Sequence, residues 1–341
     1  MNAVTAPTPE NRLISFVLPV YNEGVNVDLI HKTLMKVTAD LSYNLEFVYV
    51  NDGSSDDSFD RLRAEQVNDP RIKIINFSRN YGHQLAITAG MDYANGDAAV
   101  IMDSDLQDPP SVALELIKKW EEGYDVVFAQ RRSRHDTFFK RTSADMYYRF
   151  LEKIGDIRIP RNTGDFRLMD RKVIDEVKKY REHDRYIRGM VSRVGFRQVA
   201  VAFDRDDRVH GETHYPLNKM LKLASDGILG FSTFPLRIIA RIGYSVAALS
   251  IIGILWILIS KIVSPQSTVP GWSFIVIAIL FVGGLQLIML GILGSYIGRI
   301  YREVQDRPLY SLEGLYVAGQ ESPLQPPEDT QHQVRYRIVD R

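Results

Sequence analysis

The chain has 341 residues, 45% of them hydrophobic, with 42 Lys plus Arg against 42 Asp plus Glu. A formal net charge of zero gives no bulk attraction for a polyanion, so no nucleic-acid partner is expected. The absence of cysteine excludes disulfides, thiolate metal sites and cysteine nucleophiles.

The N-terminal "MNAVTAPTPENR" has neither a basic start nor an apolar core, so no signal peptide is expected and residues 1–11 read as a tail. From there to about residue 130, β-rich runs alternate with helix-like segments: "LISFVLPV", Gly24–Leu41, "LEFVYV", Asp56–Gln66, "IKIINF", His83–Ala94, "AAVIMD", Ser111–Glu122 and "DVVFAQ". Alternation at this spacing predicts right-handed βαβ units and a Rossmann-like, mainly parallel sheet. Ligands of such sheets bind beyond the carboxyl ends of strands, and the polar clusters "YNE", "NDGSSDDS" and "DSDLQDPP" fall there. Neither G-x-G-x-x-G after the first strand nor a Walker A sequence occurs, so the usual dinucleotide and P-loop cradles are missing.

In "VIMDSDLQDPP", Asp103 and Asp105 flank Ser104 and in an extended segment project to one side. Paired carboxylates are unfavourable unless a cation lies between them or one is protonated. Oxygen ligands from the two aspartates and Gln107 suit Mg²⁺ or Mn²⁺; a solvated acidic turn is the alternative. Asp108, with Pro109 and Pro110, is expected to end the loop and start the next helix. Asp52 could accept from a ribose hydroxyl or a base N–H, whereas Ser55 or Asp56 as a helix N-cap explains much of "NDGSSDDS" without a ligand.

Further on, Phe139–Ile154 and Leu217–Phe234 carry apolar residues at helical spacing, which suits helices lying at a membrane interface or packed on the domain core. Ile242–Val263 and Trp272–Ile297 are each long enough to span hydrocarbon. The intervening 264–271 segment has no Lys or Arg, whereas Arg237 and Arg241 precede the first stretch and Arg299, Arg302 and Arg307 follow the second. By the positive-inside rule both ends face the cytoplasm. The expected organisation is a cytoplasmic catalytic domain over residues 12–236, a transmembrane hairpin over 237–300 and a cytoplasmic tail over 301–341.

Taken together, "VLPVYNEG", "VNDGSSDDS", "NYGHQLAITAGMDYANGD", "MDSDLQDPP" and "NTGDFRLMDR", followed by two apolar stretches, resemble family 2 glycosyltransferases of GT-A fold. Within that family the chain is similar to polyprenyl-phosphate glycosyltransferases, which include bactoprenol glucosyltransferases and dolichyl-phosphate mannose synthases. The resemblance covers roughly residues 12–310. It implies that Pro19, Tyr21, Glu23 and Asp52 hold the nucleobase and ribose of a sugar nucleotide. Asp103, Asp105 and Gln107 would bind Mg²⁺ or Mn²⁺ against the donor diphosphate, with Ser104 counted on the donor side.

Arg131 and Arg141 match arginines that meet donor and acceptor phosphates, and Arg208 and His214 match an Arg and a Lys six residues later, Arg205 adding charge. His214 is a departure, since the usual "GESKY" reads "GETHY" here. Asp165 is placed near the acceptor, either orienting its phosphate, accepting a proton or holding Arg167. The acceptor would be a polyprenyl phosphate in the bacterial inner membrane, the donor UDP-glucose as first choice, and the product β-linked by inversion. Hairpin anchors of this family often associate, so a homo-oligomer is an expectation. A processive polysaccharide synthase would carry Q-x-x-R-W, which Trp120, Trp256 and Trp272 do not form, and an inactive scaffold would have a broken D-x-D.

Overall fold

The computed structural model describes residues 12–132, 163–204, 234–263 and 271–318. Arg141, Arg205, Arg208, His214 and the segments 139–154 and 217–233 lie outside the described residues.

Eight strands make one sheet: β1 (Leu13–Val20), β2 (Asn44–Asn51), β3 (Ile72–Phe77), β4 (Ala98–Ile101), β5 (Val126–Arg131), β6 (Thr163–Asp170), β7 (Gln198–Phe203) and β8 (Leu312–Val317). Their order is β7-β5-β6-β4-β1-β2-β3-β8. The first four pair in parallel, as do β5 and β7, whereas β6 runs antiparallel to β4 and β5 and β8 antiparallel to β3. Helices α1 (Gly24–Val37), α2 (Ser58–Asn68), α3 (His83–Tyr93), α4 (Val112–Glu121), α5 (Arg171–Lys178) and α6 (Ile187–Val194) accompany the sheet. The expected mainly parallel α/β architecture is present.

The near-continuous apolar composition of β1 and β2 follows from coverage on both faces. Successive side chains of a strand alternate between faces. Ile14, Phe16 and Leu18 of β1 therefore join Phe47 and Tyr49 of β2 in one buried layer. Val17, Val48 and Val50 feed the other, with Ile75, Phe77 and Ile87. In this register Val20 lies opposite Asn51, Asn51 opposite Asn76, and Val17 opposite Ile101. The loops after β1, β2, β3 and β4 thus leave along one edge.

Residues after the second apolar stretch do not simply trail away, as the expected tail over 301–341 had it. Leu312–Val317 form β8 on the open side of β3, burying Leu315 and giving the edge strand's backbone groups partners. Six residues interrupted by Gly314 are too short a signal to separate from a tail.

The long helices α7 (Phe234–Val263) and α8 (Trp272–Val304) have 30 and 33 residues. Among the described residues one segment, Phe281–Val304, is long and apolar enough to cross a membrane, with mean hydropathy 1.7. The apolar segment of α7, Ile238–Gly253, is shorter. Both helices expose large apolar side chains, among them Ile252, Trp256 and Ile259 of α7 and Ile279, Phe281 and Leu287 of α8. Where the expected hairpin had two spans, the described residues supply one helix segment long and apolar enough to cross a membrane.

Gly53 marks a close approach of two backbones at the edge where these loops emerge. Its φ is +62°, and a Cβ there would fall 2.3 Å from the Arg79 carbonyl carbon and 2.5 Å from the Asn80 nitrogen. Gly53→Ala is expected to cost at least about 1–2 kcal/mol from the left-handed backbone alone. Thermal unfolding checks this: a Tm equal to that of the wild type would show that the two loops do not meet as described.

Candidate active site

Side chains on each strand-end loop satisfy backbone groups on the next. After β1, Asn22 takes the left-handed conformation with φ +54°, which asparagine tolerates better than most residues. Its N–H donates to Ser54 Oγ at 3.0 Å and its Oδ1 accepts from the Ser55 N–H at 2.8 Å. The Glu23 N–H donates to Ser58 Oγ at 3.0 Å and the Gly24 N–H to Asp56 Oδ2 at 3.1 Å. After β2, the buried Asp52 accepts the Tyr81 N–H at 2.7 Å and the Gly82 N–H at 2.9 Å. Burial pushes its carboxyl above the usual range, against the lowering effect of those two bonds. After β4, Ser104 donates its hydroxyl to the Pro19 carbonyl at 2.9 Å.

These contacts involve the residues expected on the donor side. Tyr21 is 49% exposed at the rim, and Glu23 accepts from Asn26 Nδ2. Ser104 is buried and its hydroxyl ties two loops together, a structural task in place of the expected donor contact. Of the two residues expected to cap α2, Asp56 supplies the bond: the N-cap position is Asp57, which makes no side-chain cap bond, while Asp56 accepts the Ser58 N–H at 3.1 Å with one oxygen and the Gly24 N–H with the other.

The metal-type loop follows the same pattern. Leu106 has φ +59°, strained for a bulky side chain, and the Gln107 N–H donates to Asp105 Oδ1 at 3.1 Å. Gln107 Oε1 is buried with no hydrogen-bond partner, which leaves an oxygen suited to a hard cation. Among the described residues no three His, Asp or Glu gather into a metal cluster, so two carboxylates, one amide oxygen and substrate oxygens are the available shell. Asp108 does not start the next helix. It is 1% exposed and faces Arg131, whose Nη2 lies 3.8 Å from Asp108 Oδ1, while Ser111 takes the N-cap position of α4.

Asp165, on β6, is buried and held from several sides. Arg188 grips it bidentately, Nε to Oδ1 at 2.8 Å and Nη2 to Oδ2 at 3.1 Å, and Gln84 Nε2 donates to Oδ2 at 3.0 Å. His83 Nε2 stands 3.4 Å from both Asp165 Oδ2 and Asp103 Oδ1, bridging β6 and the metal-type loop. Burial acts to raise the Asp165 pKa, but His83, Arg188 and Arg167 outweigh it and hold the carboxyl far below the ordinary range. Burial would lower the His83 pKa, yet the Asp165 hydrogen bond and the charges of Asp103 and Asp165 raise it.

A carboxylate so held is a poor proton acceptor, and its side chain holds Arg188 rather than the anticipated Arg167. Arg167 donates instead to the carbonyls of Gly164 at 2.9 Å and Asp165 at 3.4 Å, and burial pushes its pKa down to about 10. Gln84 completes a ring by accepting the Ile187 N–H at 2.9 Å, capping α6 just before Arg188. His83 and Gln84 stand inside the motif "NYGHQ" without having been singled out, and nothing around Arg188 in "DRYIRG" marks it as Asp165's partner.

Removing Arg188 while keeping Asp165 leaves a buried carboxylate without its main counter-charge, expected to cost about 3–5 kcal/mol. Asp165→Asn combined with Arg188→Met should cost much less than the two single changes summed. The depressed pKa means that the ion pair's stabilisation is complete above the unfolded carboxyl value of about 3.9 and is lost as pH falls below it. A thermal-melt double-mutant cycle run at neutral pH checks the coupling; additive single changes would contradict it.

Comparison with known proteins gives concordant relatives. A family model described as Glycosyl transferase family 2 matches residues 15–178. The chain is 50% identical over 303 residues to an uncharacterized glycosyltransferase, YkcC, of Bacillus subtilis, covering 89% of this chain and 94% of that protein. It is 40% identical over 301 residues to the bactoprenol glucosyl transferase of Shigella phage SfII, covering 88% and 97%. Among solved structures, glucosyl-3-phosphoglycerate synthase from Mycobacterium tuberculosis with Mn²⁺, UDP-glucose and phosphoglyceric acid aligns at 18% identity and a TM-score of 0.42, over 64% of this chain and 78% of that one.

Proposed function

Since the chain belongs to glycosyl transferase family 2, we propose that it moves one hexose, glucose from UDP-glucose as first choice, onto a polyprenyl phosphate. The protein is a glycosyltransferase with a GT-A-like α/β sheet. The finer reading is carried by one observation, the buried Gln107 oxygen without a partner beside Asp103 and Asp105, on the edge where four interlocked loops emerge. The lipid acceptor is supported by the name of the 40% identical phage relative and by the apolar segment Phe281–Val304. Inner-membrane attachment by a two-helix hairpin, with the catalytic domain and both termini cytoplasmic, belongs to the same proposal.

A divalent cation held by Asp103, Asp105 and Gln107 would neutralise the departing nucleoside diphosphate. The remaining tasks fall to the chain's own residues. Tyr21, Glu23 and the Asp52 loop border the nucleoside, and Arg131, balanced by Asp108, lends positive charge to the phosphates. Arg141, Arg205, Arg208 and His214 are proposed to meet the acceptor phosphate. A phosphate monoester has a second pKa of about 6, so its attacking oxygen is already anionic at neutral pH. No strong base is required, in agreement with an Asp165 that stays ionised and bonded. Its task is to hold Arg188, Gln84 and His83 in place while the acceptor oxygen is aligned with the anomeric carbon. Direct displacement gives the β-linked product.

The full chain, incubated with Mg²⁺ or Mn²⁺, polyprenyl phosphate and labelled sugar nucleotides, is expected to yield butanol-extractable label from UDP-glucose. Asp105→Ala should lower kcat about a hundredfold or more, the loss of several kcal/mol of charge stabilisation. Lack of transfer from every donor, or full activity in that variant, would refute the assignment. Asp165→Asn should lower the rate without changing the shape of its pH profile; an acidic limb that vanishes in this variant would instead make Asp165 the proton acceptor.

A further inference from the structure

The edge strand β8 contains one residue more than its ladder uses. Asn76 stands opposite Gly314 while Phe77 stands opposite Leu312, so Glu313 is the extra residue of a β-bulge. Bulges re-aim side chains, and this one turns a carboxylate inward: Glu313 Oε2 accepts from Asn76 Nδ2 at 2.8 Å. Asn76 is buried, and its Oδ1 accepts from Asn51 Nδ2 at 2.7 Å. Asn51, also buried, ends β2 directly before Asp52, and its Oδ1 faces the Ser54 N–H at 3.4 Å.

This row of side chains has a direction. An ionised carboxylate accepts and cannot donate, whereas an amide does one at each end. With Glu313 at the outer end, Asn76 must turn its NH₂ outward and its oxygen inward. Asn51 then turns its NH₂ to Asn76 and its oxygen to the loop, where the Ser54 N–H needs an acceptor. A donor at position 313 favours the opposite sense, which would set the Asn51 NH₂ against the Ser54 N–H.

We propose that Glu313 is a positioning residue for the loop Asp52–Ser55, fixing the sense of the Asn76 and Asn51 amides from the outer edge of the sheet. The assignment rests on the reading of that loop as part of the donor site. It gives the strand that follows the second long helix a part in donor binding, without contact between that strand and the sugar nucleotide. It also accounts for a bulge that places an exposed glutamate against the buried Asn76 amide, where a regular strand would have closed the sheet edge equally well.

The test uses the full chain with Asn76→Asp, Glu313→Lys and the double variant Asn76→Asp/Glu313→Gln. The first sets two carboxylates face to face, and the second puts a cation at the outer end. In the double variant the two positions exchange donor and acceptor, and Asn51 keeps its sense. Hydrogen exchange of residues 52–57 should quicken about fivefold in each single variant and return to near the wild-type rate in the double variant. The KM for UDP-glucose should follow the same order with kcat little changed.

Unaltered loop exchange in both single variants would overturn the proposal, as would failure to recover in a double variant that melts like the wild type. If Asn76→Asp does not fold, Glu313→Lys, at an exposed position, decides. A wild-type chain without turnover counts against the donor reading alone, and the exchange rates still decide the role of Glu313.

Discussion

The buried carboxylate of Asp52 accepts the backbone N–H groups of Tyr81 and Gly82, and the geometry of the candidate site depends on that contact. It ties the loop after β2 to the loop that starts α3, and so places His83 and Gln84. Parallel register makes the contact available by bringing the carboxyl ends of β1 to β4 to one edge of the sheet. Strand-end loops contain many backbone donors that the ladders cannot satisfy, and an unpaired buried N–H is expensive. Asn22, Asp56 and Ser58 answer the same need between the first two loops, and Ser104 ties the fourth loop to the end of β1. Many polar residues of the edge thus hold the loops, and the proposed cation ligands Asp103, Asp105 and Gln107 stand among them, with His83 beside Asp103 and the Gln107 N–H on Asp105.

Charge is apportioned in the same way. Asp108 is set against Arg131 and Asp165 against Arg188, while His83 stands between Asp103 and Asp165. The proposed transfer brings a diphosphate and a lipid phosphate together and calls for cations that do not drift with pH; pairing each arginine with a buried carboxylate fixes its position. The same pairing holds the Asp165 carboxyl well below the ordinary range, which disfavours its taking up a proton. An acceptor that arrives already anionic makes such a site sufficient.

Much of this was legible in the sequence, and the remainder was not for identifiable reasons. The first five strands announce themselves because strands covered on both faces read as unbroken apolar runs, and the polar clusters after them mark the ligand edge. Gln107 was singled out as a candidate oxygen ligand from its place in D-x-D-x-Q, and its buried oxygen has no hydrogen-bond partner. The tasks of Ser104 and Asp108 were not, because their partners Pro19 and Arg131 come from other strands, and only the sheet order brings them within reach. Arg188 lies 23 residues from Asp165 with no motif to join them. The strand β8 was hidden by its brevity and by the long apolar segment that separates it from the rest of the sheet.

The four strand-end loops are proposed to form one nucleotide site completed by a divalent cation. Hydrogen exchange along the full chain, with and without UDP and Mn²⁺ together, addresses this most directly. Residues 21–24, 52–58, 79–84 and 103–107 should be protected together, and the protection around 103–107 should disappear when Mn²⁺ is withheld. Protection confined to other segments, or equal protection of 103–107 with and without the cation, would contradict it.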